Sequence, residues 1–251
     1  MDNKRLFGII GYPLTHSFSE RYFNNKFATE GIIDAGFKAF SIEHIQSLPS
    51  IIQSHTNLQG FAITIPHKKA VLSYLQQAST TVQQMGACNC VRIKDGILIG
   101  HNTDVLGFEN SFVKHVQPHH NKALVLGSGG AAAAVEFVLA KLGISYKVVS
   151  RNINEAKDNY LTYQEITEAV MDEYNVIINS TPLGTYPKVE EAPPIPYHLL
   201  TTKHYLFDLV YNPAETTFLR LGKERGAIVE NGYEMLVLQA EENWNIWNDL
   251  L

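Results

Sequence analysis

The apolar positions of this chain fall into short continuous runs separated by amphipathic stretches, the pattern of buried strands joined by helices. Leu6-Phe7-Gly8-Ile9-Ile10 is the first run, closed by the turn residues Gly11-Tyr12-Pro13. Residues 17–30 read as a helix, with Ser17 and Ser19 at the start, Phe18, Tyr22, Phe23 and Phe27 along one side, and Gly31 as the stop. A strand over residues 37–42, a short helix over 47–55 and a strand over 60–63 follow. Pro66 predicts a helix running to residue 75, because proline suits the first helical turn. Runs at 88–93 and 97–100 flank Lys94-Asp95-Gly96, a hairpin signal. This half therefore reads as an α/β domain with a mostly parallel sheet.

The second half repeats the alternation. Ala123-Leu124-Val125-Leu126 is a buried strand, residues 131–142 an alanine-rich helix ended by Gly143, and Tyr146-Lys147-Val148-Val149 the next strand. Further buried strands are expected at 176–179 and 205–210, and a helix at 234–247. The proline-rich stretch 187–196 reads as a loop.

The 251 residues suffice for one large or two modest domains. A hydrophobic content of 45% with 18% charged residues is that of a soluble globular protein. The net charge of -5 gives no reason to expect nucleic acid or an anionic membrane as partner. No apolar run reaches the roughly 18 residues of a membrane span, and Met1-Asp2-Asn3-Lys4-Arg5 lacks the features of a secretory signal. Cys88 and Cys90, one residue apart on an expected strand, are poorly placed for a mutual disulfide and too few for structural zinc. A reducing, cytoplasmic setting fits them. His115, His119 and His120 sit in a Pro118-containing loop where nothing fixes a metal geometry, so no metal is expected.

The chemistry enters with Gly127-x-Gly129-x-x-Ala132, which follows a strand and opens a helix. The first glycine permits a tight turn, the second lets backbone approach a pyrophosphate, and the small Ala132 allows close helix–strand packing. The helix N-terminus offers N–H groups to the phosphates. The next strand ends Val149-Ser150-Arg151-Asn152 with no acid to hold a ribose 2′-hydroxyl. Arg151 can instead bind a 2′-phosphate, with Ser150 adding a hydroxyl, and this reads as NADP.

Motifs along nearly the whole chain resemble the shikimate dehydrogenase family. They are Gly11-Tyr12-Pro13-Leu14-Thr15-His16-Ser17-Phe18-Ser19, Gly60-Phe61-Ala62-Ile63-Thr64-Ile65-Pro66-His67-Lys68, Gly86-Ala87-Cys88-Asn89 and Gly100-His101-Asn102-Thr103-Asp104-Val105-Leu106-Gly107 in the first part. Asn179-Ser180-Thr181-Pro182-Leu183-Gly184, Asp208-Leu209-Val210-Tyr211-Asn212-Pro213 and Gly232-Tyr233-Glu234-Met235-Leu236-Val237-Leu238-Gln239-Ala240 continue the series in the family's order. The resemblance implies NADPH-dependent reduction of 3-dehydroshikimate to shikimate, on the route to chorismate and the aromatic amino acids. It implies a substrate domain over residues 1–103 completed by a C-terminal helix at 233–251, and a Rossmann-like NADP domain over 104–232. The active site would lie in the cleft between them, in a monomer or homodimer.

On that resemblance Lys68 and Asp104 are the catalytic candidates. A lysine can donate a proton to the substrate carbonyl, whereas acting as a base requires its neutral form. Asp104 would accept from a ring hydroxyl and pair with Lys68; alternatively it caps the helix that begins near Val105. Ser17 and Ser19 would hold the substrate carboxylate, though N-capping alone explains one serine. Thr64, Asn89, Tyr211 and Gln239 carry over as further substrate contacts. Gly127, Ser128, Gly129, Gly130, Ala131, Ser150, Arg151 and Thr181 carry over as cofactor contacts, with Leu209 and Gly232 on the nicotinamide side. Three departures stand out: Ala62 where Asn is usual, Glu20 where Pro is usual, and Ser150 and Asn152 flanking Arg151, which thins the 2′-phosphate clamp. They leave open a quinate- or NAD-linked dehydrogenase. A shikimate-sensing module without catalysis should have lost Lys68 or Asp104, and this chain keeps both.

Overall fold

The computed structural model describes residues 4–14, 17–151 and 159–250. They divide into two compact units, one of residues 1–103 with 240–251 and the other of residues 104–239. In chain order the elements are β1 (Arg5–Gly11), α1 (Phe18–Thr29), β2 (Ala35–Ser41), α2 (Leu48–Ser54), β3 (Leu58–Ile63), β4 (Gln77–Ala78), α3 (Thr80–Met85), β5 (Cys90–Lys94) and β6 (Ile97–His101). There follow α4 (Asp104–Phe112), β7 (Lys122–Leu126), α5 (Ala132–Lys141), β8 (Ser145–Val149), β9 (Tyr160–Leu161), α6 (Glu168–Glu173), β10 (Val176–Asn179), β11 (Tyr205–Asp208), α7 (Thr217–Glu224), β12 (Ile228–Asn231) and α8 (Tyr233–Trp247). Among the described residues, no helix is long and apolar enough to cross a membrane.

The first unit's sheet runs β2-β1-β3-β5-β6-β4. β1 pairs in parallel with β2 and β3, and β4 with β6, while β5 is antiparallel to both neighbours, so three of the five pairings are parallel. The β5–β6 hairpin turns on Asp95 and Gly96, at φ 51 and 77, the left-handed pair that a two-residue hairpin loop needs. Alternation along the strands splits the core over the two faces. Phe7, Ile9, Phe37 and Ala62 meet α1 and the end of α8, whereas Ile10, Phe40, Phe61 and Ile63 meet Leu48, Val71 and Val82. Trp247 seals the first face: it stacks on Phe7 at 5.2 Å and its indole N–H donates to the Val91 carbonyl at 3.1 Å. Gly60 lies beneath it, and a Cβ there would come within 2.3 Å of the ring.

The expected helix opening at Pro66 is absent. His67 N–H closes a turn on the Thr64 carbonyl at 2.9 Å, and the Lys68 carbonyl accepts from Cys88 N–H at 2.8 Å. That carbonyl is then lost to an i+4 partner. The Leu72 N–H turns to Lys69 instead, and a 3-10 helix forms over Ala70–Tyr74.

The second unit's sheet is parallel throughout, in the order β12-β11-β10-β7-β8-β9. Counted within the unit this is 3-2-1-4-5-6 read backwards, the doubly wound order of dinucleotide-binding folds. The strand order reverses at β7, between β8 and β10, and ligands of such sheets bind beyond the carboxyl ends of the strands at that point. β7, β10 and β11 are buried along nearly their whole length, as continuous apolar runs require.

Candidate functional site

The loop after β7 occupies the point of reversal. Gly127 has φ +101, and a Cβ there would stand 2.9 Å from Thr181 Cγ2, so both backbone and space call for glycine. Its N–H donates to the Val149 carbonyl and the Ser180 hydroxyl donates to the Leu126 carbonyl, which ties the loop to the strand on either side. A Cβ at Gly129 or Gly130 would enter open space, so this stretch of backbone is accessible to a ligand. α5 starts from Ala131, which offers no side-chain cap to the first N–H groups, and Ala132 packs fully buried against the sheet. Together these features fit a diphosphate at a helix N-terminus.

The cavity here measures about 270 Å³ and is lined by Gly127, Ser128, Gly129, Ser150, Arg151, Tyr163, Ser180 and Thr181, with Val149, Pro182, Leu183 and Pro194 completing the wall. Gly130 and Ala131 stand just past its lining, at the start of α5. Asn152 lies outside the described residues, as do Thr15 and His16. Tyr163 reaches the cavity from a segment given no element in the sequence, and Pro194 from the proline-rich loop at 187–196.

Beneath the cavity runs a buried polar network. Thr181 N–H and hydroxyl donate to Asn179 Oδ1 at 3.0 and 2.6 Å, and Asn179 Nδ2 donates to Asp208 Oδ1 at 2.9 Å. Asp208 also accepts from Val210 N–H at 3.0 Å and from the Thr216 hydroxyl at 2.6 Å. Asp208 is 0% exposed, and burial pushes its carboxyl up to about 6 against the three donors that favour the anion. The network fixes Thr181 at one end and the Leu209-Val210 segment at the other. Leu209 and Gly232 do not line the cavity; they meet each other, since a Cβ on Gly232 would come within 2.2 Å of the Leu209 carbonyl oxygen. Asp208 and Thr216 carried no assigned role in the sequence, although an acid ending a wholly apolar strand was a usable signal.

Asp104 is the first residue of α4 and is buried. One turn on, Gly107 admits α8 so closely that a Cβ would sit 2.5 Å from the Met235 carbonyl and 3.2 Å from Gln239 Cβ. Asp104 and Gln239 thus stand on two packed helices of the second unit. Tyr211, partly exposed, lies just beyond β11.

In the first unit Thr64, Lys68 and Asn89 are drawn together by backbone bonds. Thr64 N–H donates to the Ile10 carbonyl, Ile63 N–H to the Asn89 carbonyl, and Cys88 N–H to the Lys68 carbonyl. The Asn89 side chain, 2% exposed, accepts from Thr103 N–H at 2.7 Å and donates to the Thr103 hydroxyl at 3.0 Å. That hydroxyl donates in turn to Asn243 at 2.8 Å, so Thr103 is held from two sides. His67, 3% exposed, anchors the lysine turn through its Nε2 on the Ile42 carbonyl at 2.7 Å. Its part was not foreseen. Ser17 caps α1, accepting from Glu20 N–H at 3.2 Å, and a hydroxyl that accepts one bond can still donate its proton. Ser19 is buried one residue into the helix.

Two departures acquire a local account. Ala62 is 5% exposed and packs among Phe7, Phe23 and Trp244, an apolar setting in which an amide would need a partner. The Glu20 carboxylate accepts from Ala39 N–H on the edge strand β2 at 3.3 Å. The histidines of the 115–120 loop have structural partners: His120 Nδ1 accepts from Gln117 N–H and its Nε2 donates to the Lys203 carbonyl, while His115 faces Glu230. Burial holds the His120 ring below the ordinary histidine range. Among the described residues, no group of three or more His, Cys, Asp or Glu could hold a metal ion.

Residues 9–91 match a family model described as the shikimate dehydrogenase substrate binding domain. A shikimate dehydrogenase (NADP(+)) of Methanosphaera stadtmanae is 34% identical over 96% of this chain and 90% of its own length. One from Clostridium beijerinckii is 36% identical over 97% of this chain and 92% of its own. The crystal structure of shikimate 5-dehydrogenase from Thermus thermophilus in complex with NADP(H) and shikimate superposes with a TM-score of 0.85 at 29% identity, covering 98% of this chain and 94% of that one.

Proposed function

The chain belongs to the shikimate dehydrogenase family, and from that premise we propose that it is an NADP-dependent oxidoreductase reducing 3-dehydroshikimate reversibly to shikimate, toward chorismate and the aromatic amino acids. One observation carries the reading: the cavity at the reversal point of the second sheet joins an open glycine loop, an uncapped helix N-terminus and Arg151, with no acid among its described lining residues. An NAD site places Asp or Glu at the end of the second strand, whereas an arginine there suits the 2′-phosphate.

Bound NADPH supplies a hydride to the substrate carbonyl carbon. Lys68 gives a proton to the carbonyl oxygen as negative charge develops on it. Asp104 accepts from the neighbouring ring hydroxyl and works with Lys68 as the acid–base unit, whose two groups share their titration when coupled. Ser17 and Ser19 hold the carboxylate. Thr64, Asn89, Tyr211 and Gln239 take the remaining polar groups, and a substrate lacking a hydroxyl is rejected because protein groups would be left unpaired. Leu209 and Gly232 shape the nicotinamide side. Substrate binding is assigned to residues 1–103 completed by the helix at 233–251, and cofactor binding to residues 104–232. A cytoplasmic monomer or homodimer is the proposed form; the two thiols suit a reducing compartment, and the net charge of -5 gives no reason to expect nucleic acid or an anionic membrane as partner.

The test follows NADPH absorbance with 3-dehydroshikimate, with NADH as control. Rapid oxidation of NADPH is expected, and Lys68→Ala should lower turnover by about two to four powers of ten. Near-normal turnover in that variant removes Lys68 from the mechanism. Preference for NADH or quinate would reassign the specificity, and shikimate binding without hydride transfer would mark a sensing module.

A further inference from the structure

Among the described residues at the end of β8, Ser150 and Arg151 line the cavity, and Tyr163 joins them from the neighbouring strand's end. β8 and β9 pair in parallel with Val148 opposite Tyr160 and Val149 opposite Leu161. The bond from Ser150 N–H to the Leu161 carbonyl, at 2.9 Å, extends the register beyond the strands. Parallel strands leave their ends on the same edge, so the residue two beyond Val149 and the residue two beyond Leu161 emerge side by side. These are Arg151 and Tyr163, and both line the cavity.

The turn that bears Tyr163 is built rather than loose. Thr162 N–H and hydroxyl both donate to Glu165 Oε2 at 2.6 and 2.8 Å, and Glu165 N–H donates back to the Thr162 carbonyl at 3.1 Å. Tyr163 packs on the edge of the unit's core and also lines the cavity. Burial raises the phenol above its ordinary range and the nearby Arg151 charge opposes the rise, as expected of two groups that share one polar corner.

We propose that Tyr163 is a specificity-determining residue of the cofactor site: its hydroxyl donates to the adenosine 2′-phosphate beside the Arg151 guanidinium. The inference rests on the NADP reading above. Phenol and guanidinium are both donors at neutral pH, and a bond to an ionised phosphate is stronger than one between neutral groups. A ribose 2′-hydroxyl, uncharged and shorter, gains far less from the same corner. Tyr163 thereby supplies part of the discrimination, beside Ser150 and the exposed Arg151.

Calorimetric titration of the full-length protein with 2′,5′-ADP and with ADP tests this without turnover. Tyr163→Phe keeps the ring and its packing, and circular dichroism with a thermal melt verifies the fold. The expected result is a loss of about ten-fold in affinity for 2′,5′-ADP, unchanged affinity for ADP, and a matching rise in KM for NADPH with kcat preserved. In the double variant with Arg151→Gln the two losses should be less than additive. Unchanged 2′,5′-ADP binding in Tyr163→Phe overturns the proposal, as does an equal loss for both nucleotides, which would make Tyr163 a wall rather than a donor. Wild-type protein that binds 2′,5′-ADP no better than ADP overturns it as well. If that protein still reduces 3-dehydroshikimate, the failure lies with the NADP reading and not with the enzymatic one, whereas a wild type that prefers 2′,5′-ADP beside an unchanged Tyr163→Phe places the failure with Tyr163.

Discussion

Replacing Asp208 by asparagine measures which of two opposed effects governs the network beneath Thr181. Burial disfavours the carboxylate, while Val210 N–H, Asn179 Nδ2 and the Thr216 hydroxyl favour it, and burial wins, placing the group near 6 rather than its ordinary 3.8. A folded-state value raised above the unfolded one means that the native protein holds more protons between those limits. Stability contributed by this group is therefore full below about pH 3.8 and is lost as pH rises through 6. The gap corresponds to about 3 kcal/mol at 1.36 kcal/mol per pH unit. The amide of Asp208→Asn cannot titrate, so the stability of the variant relative to wild type should rise by about 2.5 kcal/mol between pH 4 and pH 7. Urea unfolding followed by far-ultraviolet circular dichroism at each pH reads this as a relative shift in midpoint of about 1 M, for an m-value of about 3 kcal/mol/M. The carboxylates of Asp34 and Glu165, held low by Arg5 and by Thr162, are common to both proteins and cancel in the difference. Parallel profiles would refute the reasoning. A wild type that gains on the variant with rising pH would show that the three donors outweigh burial.

Two further substitutions test the close approaches on which the units depend. Gly127→Ala forces an L-residue to φ +101 with its Cβ 2.9 Å from Thr181, at a cost of about 1–2 kcal/mol; NADPH affinity measured by fluorescence should fall by about ten-fold or more, and unchanged affinity would remove the loop from the cofactor site. Gly60→Ala drives a methyl to 2.3 Å from the Trp247 ring, so the indole must leave Phe7 and its bond to Val91. The expected loss is about 3 kcal/mol or more in urea unfolding, and a variant as stable as wild type would mean that α8 is not held at this point.

The legible part of the fold is the part written in runs. β7, β10 and β11 are buried on both faces and therefore spell continuous apolar stretches, and the glycines after β7 announce the turn they make. α6, six residues with Glu168 and Asp172 exposed, has too few turns for a helical period to stand out, whereas α7 turns Phe218, Leu219 and Gly222 inward and Arg220 and Lys223 outward, a period that was there to be read. β9 consists of two residues and is defined by its pairing with β8, which no local pattern encodes. The Pro66 helix failed for a related reason. A bond from Cys88, twenty residues away in sequence, claims the Lys68 carbonyl, and the segment at Pro66 is a turn instead of a helix start.

The same distinction governs the candidate site. Motif spacing could nominate Lys68, Asn89 and Thr181 because each sits in a recognisable string, but it could not nominate the side chains that hold those strings in place. His67, Thr103, Asn243 and Thr216 act through partners on other elements, and their effect depends on where sheet order puts those elements. Parallel strands make this systematic: every strand of the second unit delivers its following loop to one edge, so residues near 127, 151, 163 and 181 become neighbours with no shared local signature. What decides the membership of such a site is the register of adjacent strands. A shift of one residue between β8 and β9 would turn Tyr163 away from Arg151 while leaving every motif in the chain intact.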